Sequence, residues 1–162
     1  MRYILLLISQ IMGYKILDYA KPSKEQEFKF CPFIDKRVID DVFAITNDLR
    51  ATTNYNYIYK NDVNTKLTIC NGNLADKETA YTENFKNNNI EIHIDNNLLT
   101  YDYNLYNTLY HEIGHAIGMG HSDIKGIMNY SLNTDKHDNI LDDTFKIWLS
   151  QDDINGIKFL QK

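Results

Sequence analysis

The sequence predicts an α+β fold in a single domain of 162 residues. Residues 90–95 alternate apolar and polar side chains, which is typical of a half-buried strand. Val38, Val42, Ile45 and Leu49 recur at helical spacing and indicate a helix with one buried face. A chain of this length can bury about two-thirds of its unfolded surface, so both kinds of element can share one core.

The N-terminal residues have the layout of a signal peptide. Arg2 precedes a short apolar run over residues 3–12, which is too short to cross a membrane. A buried first strand is the alternative, because no small-x-small cleavage site follows. We interpret residues 1–20 as a signal peptide and residues 28–162 as the folded domain, and we therefore expect a secreted, extracellular protein.

The first elements of the domain are a strand, a helix and two further strands. Residues 28–33 indicate a strand that its own proline ends, and Asp35 can cap the helix that follows. Residues 54–59 and 66–70 indicate two short strands separated by a turn rich in Asn and Asp. Residues 71–89 show little periodicity and predict a long surface loop.

Cys31 and Cys70 are the only two cysteines, too few for a disulfide scaffold. An exported chain would allow one bridge between them, and buried free thiols are the alternative. The sequence alone leaves both interpretations open.

A second helix carries the pattern H-E-x-x-H-x-x-G-x-x-H over residues 111–121, and Asp102 or Asn104 can cap it. His111 and His115 are four residues apart, so their imidazoles lie on one helix face and can bind one metal ion. Glu112 lies beside them, where it can accept a proton from a metal-bound water.

Gly118 is where this helix should end, because a residue without Cβ can take the left-handed conformation. The resulting turn brings His121 to the same metal as a third ligand. Three imidazoles and one open position predict a single catalytic Zn²⁺, whereas a structural zinc has a closed set of four ligands. Three histidines carried on a helix by chance are the alternative.

The motif resembles that of the metzincin metallopeptidases, and the following residues resemble the matrixins among them. Ser122 follows the third histidine, where astacins carry Glu and adamalysins carry Asp. Residues 126–130 resemble the Met-turn segment of the matrixins. Residues 149–157 resemble the start of their C-terminal helix, with Ser150 and Asp153 as its capping pair.

The resemblance implies a metzincin (zincin-like) fold. A twisted, mostly parallel five-stranded sheet with an antiparallel edge strand would pack against two long helices. A small C-terminal subdomain would carry a third helix, and the zinc would lie between the subdomains. In this topology the strands of Cys31 and Cys70 are neighbours, so a bridge is geometrically conceivable.

The resemblance also implies the activity of a zinc-dependent endopeptidase that hydrolyses peptide bonds in protein substrates, with the zinc-bound water activated by Glu112. An inactive zinc-dependent decoy that only binds peptides is one alternative, and a metzincin peptidase of a different family is another. A cysteine switch at Cys31 is rejected, because Phe30 precedes it where that switch needs Pro-Arg.

Further site residues are implied by the resemblance alone. Met128 would form an apolar floor beneath the zinc without binding it, and one carboxylate of Asp152 and Asp153 would brace the Met-turn. The strand over residues 90–95 would form the sheet edge that substrate joins. Substrate contacts are expected on this strand at Ile92 and His93, and around the specificity pocket at Asn107, Asn129 and Tyr130.

Other metal ions have weaker support. His93 is the only histidine near the place where matrixins bind a structural zinc, so we interpret it as a polar group on a solvated face. Asp95 matches a position that often binds calcium, but the acidic residue expected soon after it is absent. The sequence leaves a Ca²⁺ ion there open.

The formal net charge of −5 argues against a nucleic-acid partner. No segment is long and apolar enough for a membrane span. We expect a protein or peptide substrate and a monomeric protein.

Overall fold

A computed structural model describes residues 14–75, 79–129 and 146–162. These residues form an α+β fold with a five-stranded mixed sheet, three α-helices and one short 3₁₀ helix. The predicted fold class, the number of strands and the number of helices are therefore confirmed.

The sheet has the spatial order β2-β1-β3-β5-β4. Three of the pairings, β1 with β2, β1 with β3 and β3 with β5, are parallel, whereas β4 runs antiparallel to β5. The strand bounds are Glu25–Phe30 for β1, Asn56–Tyr59 for β2, Leu67–Gly72 for β3, Ala80–Asn84 for β4 and Ile90–Asp95 for β5.

The edge of the sheet differs from the expectation in one respect. Ile90–Asp95 has the predicted bounds, but it pairs with β3 on one side and with β4 on the other, so it is an internal strand. A surface loop was predicted over residues 71–89. This prediction is wrong for Ala80–Asn84, which forms the antiparallel edge strand. The edge strand next to the second helix is therefore β4.

Three helices pack on the sheet and on each other: α1 (Lys36–Thr53), α2 (Asp102–Ile117) and α3 (Gln151–Leu160), with the 3₁₀ helix Asn96–Thr100 before α2. The Asp35 side chain caps α1 as predicted, by accepting a hydrogen bond from the Arg37 backbone N–H. Ser150 and Asp153 form the predicted capping box of α3. The cap of α2 is Tyr101, which makes no side-chain cap bond, so the predicted cap at Asp102 or Asn104 is wrong.

The helical stripe of α1 forms part of one continuous core with the inner face of the sheet. Val38, Val42, Ile45 and Leu49 are all fully buried. They join apolar side chains from β3, β5 and α2 in a single cluster. This core holds α2 firmly against the sheet, which fixes the position of the histidines that the helix carries.

Residues 14–20 pack against the turn that follows α2. Tyr14 is only 1% exposed and belongs to the core. Ile16 bridges to Met119, and the Leu17 backbone N–H donates to the Gly118 carbonyl at 2.7 Å. The expected domain boundaries at residues 20 and 28 stay predictions, but β1 begins at Glu25, three residues earlier than the expected first strand.

Cys31 and Cys70 form a disulfide across the parallel pair of β1 and β3. Phe30 is the register partner of Ile69, so Cys31, the residue after β1, falls beside Cys70 of β3. Their Cα atoms are 5.0 Å apart, which is within the normal range for a bridge. The sequence left open whether the two cysteines form a bridge or stay free thiols, and in the structure they form the bridge.

Within the described ranges, none of the helices is both long and apolar enough to cross a membrane.

Candidate metal centre

The end of α2 brings the histidines of the motif together. His111 and His115 lie one turn apart on this helix, and Gly118 ends it with a φ angle of 120°. A Cβ atom at Gly118 would lie 2.3 Å from the Cβ of Ala20, so a side chain is excluded there by space as well as by conformation. The turn then returns the chain so that His121 faces the same point as the other two imidazoles.

The three imidazoles match the geometry of a zinc site. One ring nitrogen from each of the three lies within 4.8 Å of the others. The Nε2 atoms of His115 and His121 are 3.2 Å apart. Two nitrogens bound tetrahedrally at the usual zinc distance of about 2.05 Å are separated by about 3.3 Å. The donor set of three histidines therefore fits one Zn²⁺ with an open position.

Backbone carbonyl groups orient two of these rings. The Nδ1 of His111 donates to the Ile127 carbonyl at 2.6 Å, and the Nδ1 of His115 donates to the Met119 carbonyl at 2.8 Å. When Nδ1 carries the proton, the lone pair of the neutral ring is on Nε2. Both bonds therefore fix the tautomer in which Nε2 can bind a metal ion.

Burial keeps the histidines neutral. It lowers the pKa of His111 to about 3, and the neighbouring His115 ring contributes in the same direction. Burial also lowers the pKa values of His115 and His121. A neutral imidazole is the form that binds metal, so near neutral pH no bound proton has to be displaced from the rings.

Glu112 follows His111 on α2 and is only 6% exposed. Burial raises the pKa of its carboxyl group to about 7, while a hydrogen bond from the Thr82 side chain acts in the opposite direction. The Thr82 hydroxyl is 2.5 Å from Oε2 of Glu112. A carboxyl group with a pKa near neutrality can both accept and return a proton in the working pH range.

Met128 lies beneath α2. It is 1% exposed, and a Cβ atom at Gly114 would lie 2.2 Å from its sulfur atom. The glycine of the motif therefore provides the space that the methionine fills. The expected role of Met128 as an apolar floor beneath the zinc stays a prediction.

Asp153 holds the chain segment that contains Met128. Its buried carboxylate accepts the backbone N–H groups of Ile127 at 2.9 Å and of Met128 at 3.3 Å. The same segment carries the Ile127 carbonyl that orients His111. Asp152 instead accepts the Ser122 hydroxyl at 2.9 Å. Of the two acidic residues, Asp153 is therefore the one that braces the Met-turn.

The expected pocket residues are only partly covered by the structure. Asn107 is 1% exposed, and its side-chain carbonyl accepts the Ile147 backbone N–H at 2.7 Å. It therefore joins α2 to the segment before α3. The Asn129 side chain faces the backbone carbonyls of Ser122 and Ile124. Tyr130 falls outside the described residues.

The residues expected on the edge strand lie elsewhere. Ile92 is fully buried in the core, and the backbone of its strand is paired on both sides. The prediction that Ile92 and His93 belong to the sheet edge is therefore wrong. His93 stacks on Tyr81 with ring centroids 4.7 Å apart and contacts Glu91 at 3.0 Å.

The Asp95 carboxylate is occupied by the backbone. Its two oxygen atoms accept the N–H groups of Leu74 at 2.9 Å and of Asn97 at 2.8 Å. In residues 14–75, 79–129 and 146–162, the histidine triad is the one group of three or more His, Cys, Asp or Glu side chains close enough to share a metal ion. Asp95 thus has a structural role at the start of the 3₁₀ helix.

Comparison with known proteins agrees with this geometry. The sequence profile of the matrixin family matches residues 39–162. The chain belongs to the matrixin family. This family consists of zinc metalloendopeptidases, so membership implies zinc, and the three histidines of this chain lie within metal-binding distance of one another.

Curated relatives of this matrixin include interstitial collagenases. Those of Equus caballus and Sus scrofa are 36% and 35% identical over 86 residues, and that of Bos taurus is 42% identical over 57 residues. The aligned parts cover 51%, 51% and 35% of this chain but 13%, 13% and 10% of the relatives. The chain therefore spans only a small part of their length.

A solved structure shares the fold. A chain in the GM1-bound form of the ECX AB5 holotoxin superposes with a TM-score of 0.63 at 15% identity. The match covers 93% of this matrixin and 85% of that chain. At this identity the likeness extends to the fold alone.

The sequence interpretation missed two features of the site. Thr82 does not stand out in the sequence, because residues 71–89 predict a loop where the structure has the strand that carries it. The carbonyls of Met119 and Ile127, which accept from the histidine rings, cannot be identified from the sequence, because every residue has a backbone carbonyl. The sequence Asn87-Asn88-Asn89 does indicate a turn, because Asn is common in the turns of β-hairpins, and Asn88 has a φ angle of 62°. A hairpin turn before the strand Ile90–Asp95 would have predicted a second strand, β4, on its other side.

Proposed function

We propose that this matrixin is an endopeptidase that hydrolyses peptide bonds of protein or peptide substrates. The proposal rests on three imidazoles whose nitrogens lie within 4.8 Å of one another and on the buried Glu112 carboxyl group, which is on the same helix as His111 and His115. His111, His115 and His121 would hold the zinc ion. When bound, the zinc supplies Lewis-acid polarisation of the scissile carbonyl and lowers the pKa of a water molecule.

Glu112 acts as the general base in this proposal. Its carboxylate accepts a proton from the attacking water while that water adds to the scissile carbonyl. The protonated carboxyl then donates this proton to the nitrogen of the leaving amine. Its raised pKa of about 7 suits both steps, because the group can change protonation state near neutral pH.

The edge strand β4 is the proposed place for the substrate backbone. Among the described strands, Ala80–Asn84 pairs with β5 alone, so its other side can accept an extended peptide. Thr82 connects this strand to Glu112. We propose that Asn107, Asn129 and Tyr130 shape the neighbouring side-chain pocket, and that the substrate backbone pairs with β4 instead of with the strand of Ile92 and His93.

We further propose that the protein is secreted and acts as a monomer on extracellular substrates. A disulfide such as Cys31–Cys70 persists in oxidising compartments, which supports export. The proposal includes one zinc ion, and it assigns no calcium ion to Asp95, whose oxygens already accept two backbone N–H groups. The Glu112 carboxyl argues against the decoy alternative, since a peptide-binding protein has no use for a general base.

Glu112→Ala tests the catalytic part of the proposal. The variant should keep its zinc content and melting temperature, because Glu112 is not a ligand. Its kcat should fall by about two to four orders of magnitude, which is the usual contribution of general-base assistance. Glu27→Gln at an exposed position on β1, outside the proposed site, is a matched control that should keep full activity.

The measurement is cleavage of a quenched-fluorescence peptide library, with and without a chelator, alongside metal analysis. His115→Ala should lose the zinc as well as the activity. Peptide cleavage that persists in the Glu112 variant or in the chelated enzyme would contradict the proposal. A folded, zinc-loaded wild type that cleaves no member of the library would favour the decoy.

A further inference from the structure

We propose that Thr82 is a positioning residue, whose hydroxyl holds the Glu112 carboxylate in the orientation that general-base catalysis requires. This inference rests on the proposed function of the same site. The Oγ1 atom of Thr82 lies 2.5 Å from Oε2 of Glu112 and 3.1 Å from its backbone carbonyl oxygen. The contact therefore involves the reacting side chain and the helix backbone that carries it.

The chemistry of the two groups fixes the direction of the hydrogen bond. An ionised carboxylate only accepts, so the Thr82 hydroxyl must donate its single hydrogen. The shorter distance assigns that hydrogen to Oε2 rather than to the carbonyl. Bonds of this charge-assisted kind are stronger than neutral ones. In the proposed reaction, Oε1 is then the oxygen that accepts the proton of the attacking water.

A buried general base needs such a partner. Glu112 has three rotatable side-chain bonds, and a misplacement of about 1 Å in a reacting group can reduce a rate by about two orders of magnitude. Because Glu112 is only 6% exposed, few water molecules can hold its carboxylate in place. Among the residues that the structure describes, Thr82 provides the side-chain hydroxyl that donates to this carboxylate.

The strand makes Thr82 a rigid anchor. Its register partner is Ile92 on β5, and its neighbour Tyr81 lies on the opposite face of the sheet, where it stacks on His93. A β-branched side chain on a paired strand has little freedom at χ1. Since β4 is also the proposed substrate strand, Thr82 couples the position of the bound peptide to that of the base.

Substitution of Thr82 separates this role from simple packing. Thr82→Val removes the donor but keeps the branched shape, and we expect a roughly 10- to 100-fold loss in kcat, from the usual worth of a charge-assisted hydrogen bond. KM, zinc content and melting temperature should stay close to those of wild type. Thr82→Ser keeps the hydroxyl and should recover most of the kcat that Thr82→Ala loses.

Two controls distinguish the loss of this hydrogen bond from a general disturbance of the sheet. Thr68→Val makes the same change on β3, on the face away from α2, and should leave kcat unchanged. In a Glu112→Ala background, the added Thr82→Val should change the residual rate by less than about twofold, because the interaction is already absent. An equal loss in both backgrounds would overturn the inference.

Crystal structures of the zinc-loaded wild type and of Thr82→Val provide a readout that does not depend on activity. The wild type should have one Glu112 conformer with Oε2 bonded to Thr82, and the variant should have a displaced or split carboxylate. An unchanged carboxylate in the variant, or full kcat in Thr82→Val, would overturn the inference. A wild type that has the contact but cleaves nothing would refute the proposed function alone.

Discussion

Removal of the Cys31–Cys70 bridge should destabilise the fold strongly without affecting the metal centre. The bridge joins cysteines that are 39 residues apart in sequence. In the chain-entropy description, a closed loop of this length lowers the entropy of the unfolded chain by about 13 cal/mol/K. At 25 °C this corresponds to about 4 kcal/mol of stability that the reduced protein lacks.

The double variant Cys31→Ala/Cys70→Ala is the appropriate perturbation, because it leaves no unpaired thiol. Urea unfolding should give a free energy of unfolding about 4 kcal/mol below that of the oxidised wild type. For a chain of 162 residues the melting temperature should fall by about 10 °C. The wild type with reductant is the matched control and should unfold like the variant.

Zinc content and peptide cleavage at low temperature should stay unchanged. Cys70 lies next in sequence to Ile69, which is buried on the helix side of the sheet, so the bridge is on the face away from α2. A loss of stability below about 1 kcal/mol, or two reactive thiols in the native wild type, would refute the reasoning. Activity that appears only after Cys31→Ser or a mercurial would instead identify Cys31 as a switch.

Three more changes test the carboxylate that holds the Met128 segment, a half-buried carboxyl group on α1 and the N-terminal segment. Asp153→Asn should lower the free energy of unfolding by about 3 kcal/mol, because three backbone N–H groups lose a charged acceptor. Asp152→Asn should lower it by about 1 kcal/mol, because Asp152 accepts the Ser122 hydroxyl. Urea unfolding of both variants measures the difference. Burial raises the pKa of Asp41 from 3.8 to about 6, so the folded state binds more protons than the unfolded state in this window, and stability falls as pH rises through it. Asp41→Asn should therefore raise the melting temperature at pH 7.5 but not at pH 3.5, and an equal effect at both would contradict the assignment. A chain that starts at Lys21 should have a free energy of unfolding about 3 kcal/mol or more below that of a chain that starts at Tyr14, because Tyr14 is buried in the core. Equal free energies of unfolding would show that the segment is dispensable.

The metal centre was largely predictable because its residues are set by the spacing of one motif. Helical periodicity places His111 and His115 on one face, and only a glycine suits the turn that Gly118 makes with a φ of 120°. The capping residues Asp35, Ser150 and Asp153 were also correct. In each case the chemistry is local, so a few consecutive residues contain the information.

The edge strand was not predictable in the same way. Ala80–Asn84 contains polar residues, and an edge strand buries only part of one face. Its pairing with Ile90–Asp95 depends on the tertiary arrangement, which residues 71–89 alone do not specify. The cap of α2 failed for a similar reason, since Asp102 falls within the first helical turn and the preceding 3₁₀ helix decides where α2 begins.

The motif specifies which atoms can bind zinc, but the surrounding chain decides where those atoms point. His111 is oriented by the Ile127 carbonyl, and that carbonyl lies in a segment held by the Asp153 carboxylate at the start of α3. His115 is oriented by the Met119 carbonyl, in the turn against which residues 14–20 pack. The orientation of the ligands therefore depends on both ends of the described chain, although all three histidines lie within eleven residues. A short peptide with the same motif would have the ligands without the acceptors that fix their tautomers, so the complete fold is what makes this a preorganised site.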